Sequence, residues 1–232
     1  MYIQVEHATK KYGMGGAAIY ALSDACLTVE KGEVCVILGP SGSGKSTLLN
    51  MLGGLDGLDE GHIFIDGKDI TALSRKELGE YRRLQLGFVF QSYNLIPELT
   101  VRENVQVVAD IAEHPLEIDP LLEKLGMKEH ADHFPSELLG GQQQRCAIAR
   151  ALVKNPGFLL CDELTGALDS VSSREVLSVL ETVNKVYGTT IIMITHNEGI
   201  AAMADRVIRI KNGRVQDMQT NLHPVSADEI EW

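Results

Sequence analysis

Hydrophobic positions in this chain fall into two kinds of segment that alternate along its length. Short unbroken apolar runs indicate buried strands, and apolar residues that recur every three or four positions indicate amphipathic helices. Strands of the core are predicted at Val34–Leu38, Leu86–Phe90, Phe158–Asp162, Thr190–Ile194 and Arg206–Lys211. Helices are predicted between them; in Ser74–Leu84, Ser74 and Glu77 have the spacing of a capping box. This alternation predicts an α/β fold with a mainly parallel sheet.

Two regions depart from this alternation. Near the N-terminus, Ile3–His7, Cys26–Glu30 and His62–Ile65 have the pattern of half-buried strands and predict an antiparallel β layer. From Thr100 to Val153 the pattern is helical, which predicts an inserted helical subdomain. We therefore expect a single domain with a core at 1–90 and 156–215, a helical subdomain at about 91–155, and a short C-terminal tail at 216–232.

Composition and charge narrow the class of protein. The 232 residues are 44% hydrophobic, and no apolar run approaches the roughly 20 residues that span a bilayer, so a cytoplasmic protein is expected. A formal net charge of −11 argues against binding to nucleic acid or to an anionic membrane surface, because both need a basic face. The four cysteines lie singly in apolar segments, and we expect reduced core thiols at Cys26, Cys35, Cys146 and Cys161.

The most specific motif follows the first predicted core strand. From Gly39 to Thr47 the chain reads Gly-Pro-Ser-Gly-Ser-Gly-Lys-Ser-Thr, a complete phosphate loop between a strand and a helix. The glycines let successive N–H groups face one anion, the Lys45 ammonium reaches the outer phosphates, and the Ser46 hydroxyl is placed to bind Mg²⁺. The motif predicts a phosphate-loop NTPase fold. The expected nucleotide-binding residues are Gly39, Ser41, Gly42, Ser43, Gly44, Lys45, Ser46 and Thr47.

Polar side chains at the ends of three other predicted strands indicate hydrolysis. Asp162 and Glu163 end one strand, at the edge where open parallel sheets bind ligands. Asp162 is expected to hold Mg²⁺ beside the phosphate-loop serine, and Glu163 to polarise the attacking water. Gln91 ends a second strand and is expected to contact both Mg²⁺ and water. His196 ends a third strand, where it is expected to contact the γ-phosphate.

A glycine-rich segment just before a predicted helix completes the set. It reads Leu138-Leu139-Gly140-Gly141-Gln142, and together with the motifs above it resembles the ATP-binding-cassette (ABC) ATPases over nearly the whole chain. In that family this signature binds the γ-phosphate of ATP held by the opposite subunit. The resemblance therefore implies that Leu139, Gly140, Gly141 and Gln142 bind nucleotide across a head-to-tail homodimer.

Other residues take their roles only from this resemblance. Gly166–Asp169 matches the D-loop, which touches the partner cassette. Tyr12 matches the aromatic residue that stacks on adenine, with Tyr20 as the competing candidate and core packing as the alternative for both.

The segment Phe88–Val105 looks like a narrower class, that of macrolide export and lipoprotein release, which includes bacitracin and antimicrobial-peptide systems. This class implies an integral membrane permease as partner, ATP and Mg²⁺ as cofactors, no nucleic acid partner, and a peripheral location on the inner face of the cell membrane. Gln91–Glu103 is then expected to dock the permease through Leu95, Ile96 and Leu99.

The chain departs from the family at two positions. Leu139 stands where the family has a serine whose hydroxyl donates to the partner's γ-phosphate, and Leu164 stands where proline usually follows the catalytic glutamate. Leucine cannot donate a hydrogen bond, so we expect attenuated hydrolysis. The sequence leaves open an ATP-driven regulatory or mechanical switch that acts on an extracytoplasmic partner without transport. A soluble repair or translation ATPase is disfavoured, because its coiled-coil insertion or second cassette does not fit in 232 residues.

Overall fold

The computed structural model describes residues 1–13 and 18–230. In these residues the chain forms ten β-strands and six α-helices. In chain order the strands are β1 (Ile3–Tyr12), β2 (Ile19–Val29), β3 (Val34–Leu38), β4 (Glu60–Ile65), β5 (Lys68–Asp69), β6 (Leu86–Val89), β7 (Phe158–Asp162), β8 (Thr190–Thr195), β9 (Arg206–Lys211) and β10 (Arg214–Thr220). The helices are α1 (Lys45–Leu52), α2 (Arg75–Leu84), α3 (Val101–Ala109), α4 (Ile118–Lys124), α5 (Gly140–Leu152) and α6 (Ser170–Tyr187).

The larger sheet has six strands in the order β10-β9-β3-β8-β7-β6. β10 pairs antiparallel with β9, and all other neighbours pair parallel. The smaller sheet, in the order β2-β1-β4-β5, is antiparallel throughout. The predicted α/β phosphate-loop core with an antiparallel layer is confirmed.

Alternate residues of the central strands supply two separate cores. In β3, Val34, Val36 and Leu38 face a cluster shared with α3, α4, α5 and α6, whereas Cys35 and Ile37 face a cluster shared with the antiparallel sheet and α1. Successive strand residues point to opposite faces, so a strand that is apolar at every position is buried on both sides. The parallel sheet therefore lies between the helical subdomain and the antiparallel layer.

Capping residues start the helices at the positions that the sequence indicates. Ser74 precedes α2 and Thr100 precedes α3, and each accepts from the backbone N–H of a glutamate three residues later. The glutamate carboxylates in turn accept from the backbone N–H of the cap residue, Glu77 from Ser74 at 2.8 Å and Glu103 from Thr100 at 2.8 Å. Both capping boxes are therefore formed. Within residues 1–13 and 18–230, every helix is too short or too polar to span a bilayer.

The structure adds elements that the hydrophobic pattern does not indicate. β10 lies at the edge of the sheet with one face exposed, so its residues are mostly polar, and it begins before the predicted tail at 216–232. β2 runs over Ile19–Val29, well beyond the predicted strand at Cys26–Glu30. The C-terminal tail contains a 3₁₀ turn over Ala227–Glu229, and residues 231 and 232 lie outside the described residues.

Candidate active site

The phosphate loop connects β3 to α1 and is shaped by close backbone packing. Gly44, which caps α1, has a φ of 105°, a conformation that side chains strongly disfavour. A Cβ on Gly44 would also collide with the carbonyl oxygen of Ala21 in β2. A Cβ on Gly39 would collide with the carbonyl oxygen of Ile210 in β9. Neighbouring strands therefore hold both ends of the loop.

Two polar side chains in the loop point to an anionic ligand. The Lys45 ammonium is nearly buried and donates to the carbonyl oxygens of Gly39 at 2.7 Å and Pro40 at 3.1 Å, which holds it against the loop. The Ser43 hydroxyl is buried and has no hydrogen-bond partner in residues 1–13 and 18–230. Buried polar groups are rarely left without partners, so this orphaned hydroxyl suits a phosphate oxygen in the loop.

Two carboxylates stand at the C-terminal end of β7. Burial raises the pKa of Asp162, the Glu163 carboxylate raises it further, and the Lys45 charge opposes both effects. Glu163 adopts a left-handed φ of 48°, which is uncommon for a residue other than glycine, and backbone strain of this kind clusters at functional sites. Its Oε2 lies 2.9 Å from Nδ1 of His196, and its backbone N–H donates to Ile194 of β8 at 3.0 Å. Two adjacent strands thus bring Glu163 and His196 together.

Gln91 follows β6 and approaches the turn after Glu163. A Cβ on Gly166 would lie 3.1 Å from Nε2 of Gln91, so the absence of a side chain at Gly166 leaves room for this amide. The turn is closed by Gly166 donating to the Glu163 carbonyl at 3.1 Å. The Leu164 side chain is buried in the core, so packing anchors this turn.

One cleft of about 600 Å³ collects most of the residues predicted from sequence. Its lining includes Tyr12, Ser41, Gly42, Ser43, Gly44, Lys45, Ser46, Thr47, Gln91, Asp162, Glu163 and His196. The Ser46 hydroxyl, the Gln91 amide and the Asp162 carboxylate offer the hard oxygen donors that Mg²⁺ prefers. The donor set in the cleft therefore suits a nucleoside triphosphate with Mg²⁺.

Two tyrosines lie at the mouth of this cleft. Tyr12 ends β1 with a side chain that is 44% exposed, and Tyr20 in β2 is 53% exposed. The core-packing alternative is therefore wrong for both rings. The Tyr12 hydroxyl donates to Asp56 at 3.0 Å, and the Lys11 ammonium lies 5.1 Å from the Tyr20 ring centroid. Both rings stay candidates for stacking on adenine.

The signature segment lies apart from this cleft, at the N-terminus of α5. Leu139 is the N-cap residue and is 74% exposed, and its backbone N–H donates to Oε1 of Gln142 at 2.9 Å. A Cβ on Gly140 would lie 3.0 Å from Leu168 of the D-loop segment, so the two segments pack together. Gly141 lies in the same first turn of α5. None of the four predicted signature residues lines the cleft.

Sequence patterns miss one residue that links these regions. Arg150, near the end of α5, donates to the backbone carbonyls of Asn94 at 2.6 Å and Tyr93 at 2.9 Å. Both of those residues have left-handed φ values, 52° and 58°. The helix that begins at the signature therefore holds the loop that begins at Gln91. Backbone carbonyls carry no sequence signal, so only the folded chain shows this contact.

Known proteins similar to this chain come from one protein family. The family described as ABC transporter matches residues 22–166. The macrolide export ATP-binding/permease protein MacB of Pasteurella multocida is 44% identical over 236 residues, covering 98% of this chain and 36% of that protein. The chain spans 36% of that MacB protein and 50% of a putative ABC transporter ATP-binding protein of Mycoplasma pneumoniae, which is 40% identical over 233 residues and covers 99% of this chain.

Solved structures of similar length also match. The dimeric bacterial ABC transporter cassette MJ0796 is 41% identical, with a TM-score of 0.83, and covers 94% of this chain and 98% of that one. A dimeric post-hydrolysis state of the same cassette, bound to ADP and Pi, matches at 40% identity with a TM-score of 0.83 and the same coverage.

Proposed function

This chain belongs to the ABC transporter family, as an ATP-binding ATPase cassette, and from that premise we propose that it powers a membrane permease. The observation that carries the proposal is the single cleft in which the phosphate loop, Asp162, Glu163, Gln91 and His196 meet. A phosphate loop alone serves many NTPase classes. The loop together with these four polar side chains suits an ATPase that senses the γ-phosphate of bound ATP and hydrolyses it.

We propose that the chain's side chains divide the work of hydrolysis as follows. Lys45 neutralises the outer phosphates, while Ser46, Asp162 and Gln91 hold Mg²⁺, which when bound screens the charge on the β- and γ-phosphates. Glu163 accepts a proton from the attacking water, because it is the carboxylate at the open end of the strand. His196, 2.9 Å from Glu163, orients that carboxylate and faces the γ-phosphate.

The separation of the signature from the cleft supports a dimer. Leu139 to Gln142 do not line the chain's own cleft, and the exposed N-terminus of α5 is free to meet an anion from outside. We therefore propose that ATP closes a head-to-tail homodimer in which each copy's signature completes the other copy's cleft. The dimeric state in which the related cassette MJ0796 was solved is in keeping with this arrangement.

The proposed permease-docking segment runs from Gln91 to Glu103. Its backbone is fixed by Asn104, whose side-chain amide bonds to Ile96, Leu99 and Thr100. Leu95 packs partly into the core, so Ile96, at 40% exposed, is the better docking candidate. Because MacB is named for macrolide export, we propose that the permease exports an antibiotic or antimicrobial peptide. We also propose that this chain lies against the permease, peripherally on the inner face of the cell membrane.

ATP titration of the folded protein tests the ATPase proposal. Lys45→Ala should weaken ATP binding roughly ten- to a hundredfold, because the third ammonium proton is left to bond a charged phosphate, and that bond, at about 1.5–3 kcal/mol, is lost. Lys76→Ala, at an exposed position on α2, is the control and should bind ATP like the parent. Unchanged affinity in a folded Lys45→Ala variant would contradict the phosphate-loop assignment.

Stimulation of ATPase activity by the co-purifying permease tests the docking proposal separately. Ile96→Asp should abolish stimulation and leave basal ATPase activity unchanged. Leu222→Asp supplies the matched control, because Leu222 is an exposed apolar residue beyond β10. Equal stimulation of both variants would remove the segment from the interface.

A further inference from the structure

Three side chains of different chemistry meet on the outer face of the antiparallel sheet. Nδ1 of His7 lies 2.7 Å from Oδ1 of Asp24 and 3.8 Å from Sγ of Cys26, and the three donor atoms all lie within 4.8 Å of one another. All three residues are exposed. The expectation that Cys26 is a core thiol is therefore wrong, although Cys35, Cys146 and Cys161 are buried as predicted.

An irregularity in the pairing of β1 with β2 creates this cluster. The register shifts between the pair Val5–Leu27 and the pair Ala8–Ala25, so an extra residue is accommodated in β1. Val5 points inward, and strict alternation would turn His7 inward as well; instead Ala8 is buried and His7 is exposed. Bulges of this kind re-aim single side chains.

The local backbone holds these three candidate metal ligands in place. His7 and Asp24 both have left-handed φ values, 52° and 55°. The backbone N–H of His7 donates to Sγ of Cys26 at 3.2 Å, and the backbone N–H of Asp24 donates to the Thr9 hydroxyl at 3.2 Å. The first of these bonds fixes the position of the sulfur beside His7, and sulfur binds metals as the thiolate.

We propose that His7, Asp24 and Cys26 form a binding site for a thiophilic divalent cation such as Zn²⁺, with water as the fourth ligand. Tetrahedral zinc places its nitrogen and sulfur ligands roughly 3.6 Å apart and its nitrogen and oxygen ligands roughly 3.3 Å apart. The observed nitrogen–sulfur distance of 3.8 Å is already close to this value. The nitrogen–oxygen pair, at 2.7 Å, must open by roughly 0.6 Å, which small side-chain rotations at the surface allow.

Metal binding at this site is a balanced exchange of protons for the cation. The Cys26 thiol releases its proton to solvent, and the neutral His7 imidazole carries its remaining proton on Nε2 when Nδ1 binds the metal. Nitrogen and sulfur donors select against Mg²⁺ and Ca²⁺, so the Mg²⁺ of the nucleotide cleft is not expected to compete. A bound ion would tie β1 to β2.

The rate of thiol modification of the untagged, full-length protein tests the proposal. Burial raises the pKa of the other three cysteine thiols, so an aromatic disulfide reagent should modify Cys26 selectively in the native protein. A small molar excess of Zn²⁺ should slow this modification at least tenfold, and a chelator should restore it. Co²⁺ in place of Zn²⁺ should give a thiolate-to-metal charge-transfer band that Cys26→Ser abolishes.

Matched variants separate a built site from general metal binding. His7→Ala and Asp24→Ala should each weaken zinc protection of Cys26 at least tenfold, because each removes a ligand. His62→Ala is the control. Nδ1 of His62 lies 2.9 Å from Oδ2 of Asp69 in the same sheet, but neither residue belongs to the cluster that contains Cys26. The proposal would be overturned if Zn²⁺ left the rate of Cys26 modification unchanged, or if Zn²⁺ protected Cys26 equally in the folded His7→Ala variant and the parent protein.

Discussion

Leu139→Ser is the substitution for which the structure makes the sharpest prediction. Leu139 caps α5 with φ −70° and ψ 159°, the extended backbone that N-cap residues adopt. Its side chain is exposed and offers no acceptor to the free N–H groups of the first turn. Gln142 already accepts from the Leu139 backbone, so a serine hydroxyl would complete a capping box. No packing has to change, because the leucine side chain is largely in solvent.

Two independent gains are expected from this substitution. Better capping should stabilise the nucleotide-free protein by about 1 kcal/mol, which raises the melting temperature of a domain of this size by roughly 2–4 °C. A hydroxyl that donates to a charged phosphate across the proposed dimer contributes about 1.5–3 kcal/mol per site. If closure or chemistry limits turnover, the ATPase rate should rise roughly ten- to a hundredfold.

Thermal unfolding without nucleotide, together with steady-state ATPase activity, measures the two gains separately. Leu139→Ala is the control, because it removes the bulk of leucine without supplying a hydroxyl, and it should show neither gain. An equal rise in ATPase activity for both variants would show that bulk, rather than the missing donor, limits the parent. Unchanged ATPase activity in Leu139→Ser, despite the higher melting temperature, would refute the attenuated-hydrolysis reasoning.

Three further predictions concern the catalytic base, a partly buried ion pair and the phosphate loop. Glu163→Gln should keep ATP binding, stop turnover and accumulate an ATP-dependent dimer by light scattering; parental turnover would exclude Glu163 as the base. Burial raises the pKa of Glu33, but hydrogen bonds from Arg206 at 2.8 Å and from the Glu30 backbone outweigh this effect and leave the pKa lowered. The ionised carboxylate therefore stabilises the fold above about pH 4, and this stabilisation is lost as pH falls through the lowered pKa. Urea unfolding should therefore show Glu33→Gln about 2 kcal/mol less stable at neutral pH and level with the parent in acid; a pH-independent difference would contradict this. Gly44→Ala should lose most ATP affinity while remaining folded by circular dichroism, because its φ of 105° and the Ala21 carbonyl leave no room for Cβ; parental affinity would contradict this.

Local patterns in the sequence are sufficient to predict much of this fold. The strands at Val34–Leu38 and Phe158–Asp162 lie where their apolar runs predict them, because a strand buried on both faces is apolar at every position. The capping box at Ser74 is equally local. The irregular pairing around His7 and the edge strand β10 leave no comparable pattern, because polar residues on an exposed face satisfy many backbone conformations.

The kind of chemistry follows from local sequence, since the phosphate loop, the acidic strand end and the glycine-rich signature are contiguous strings whose residue types suit one ligand. Which of these strings meet depends on the tertiary structure. Parallel pairing of β7 with β6 and β8 brings Gln91, Glu163 and His196 into one cleft, whereas α5 holds the signature away from it. It also decided that Cys26 is exposed beside His7 and Asp24. Such contacts join residues far apart in the chain, and strand order and register, which depend on the whole core, determine them.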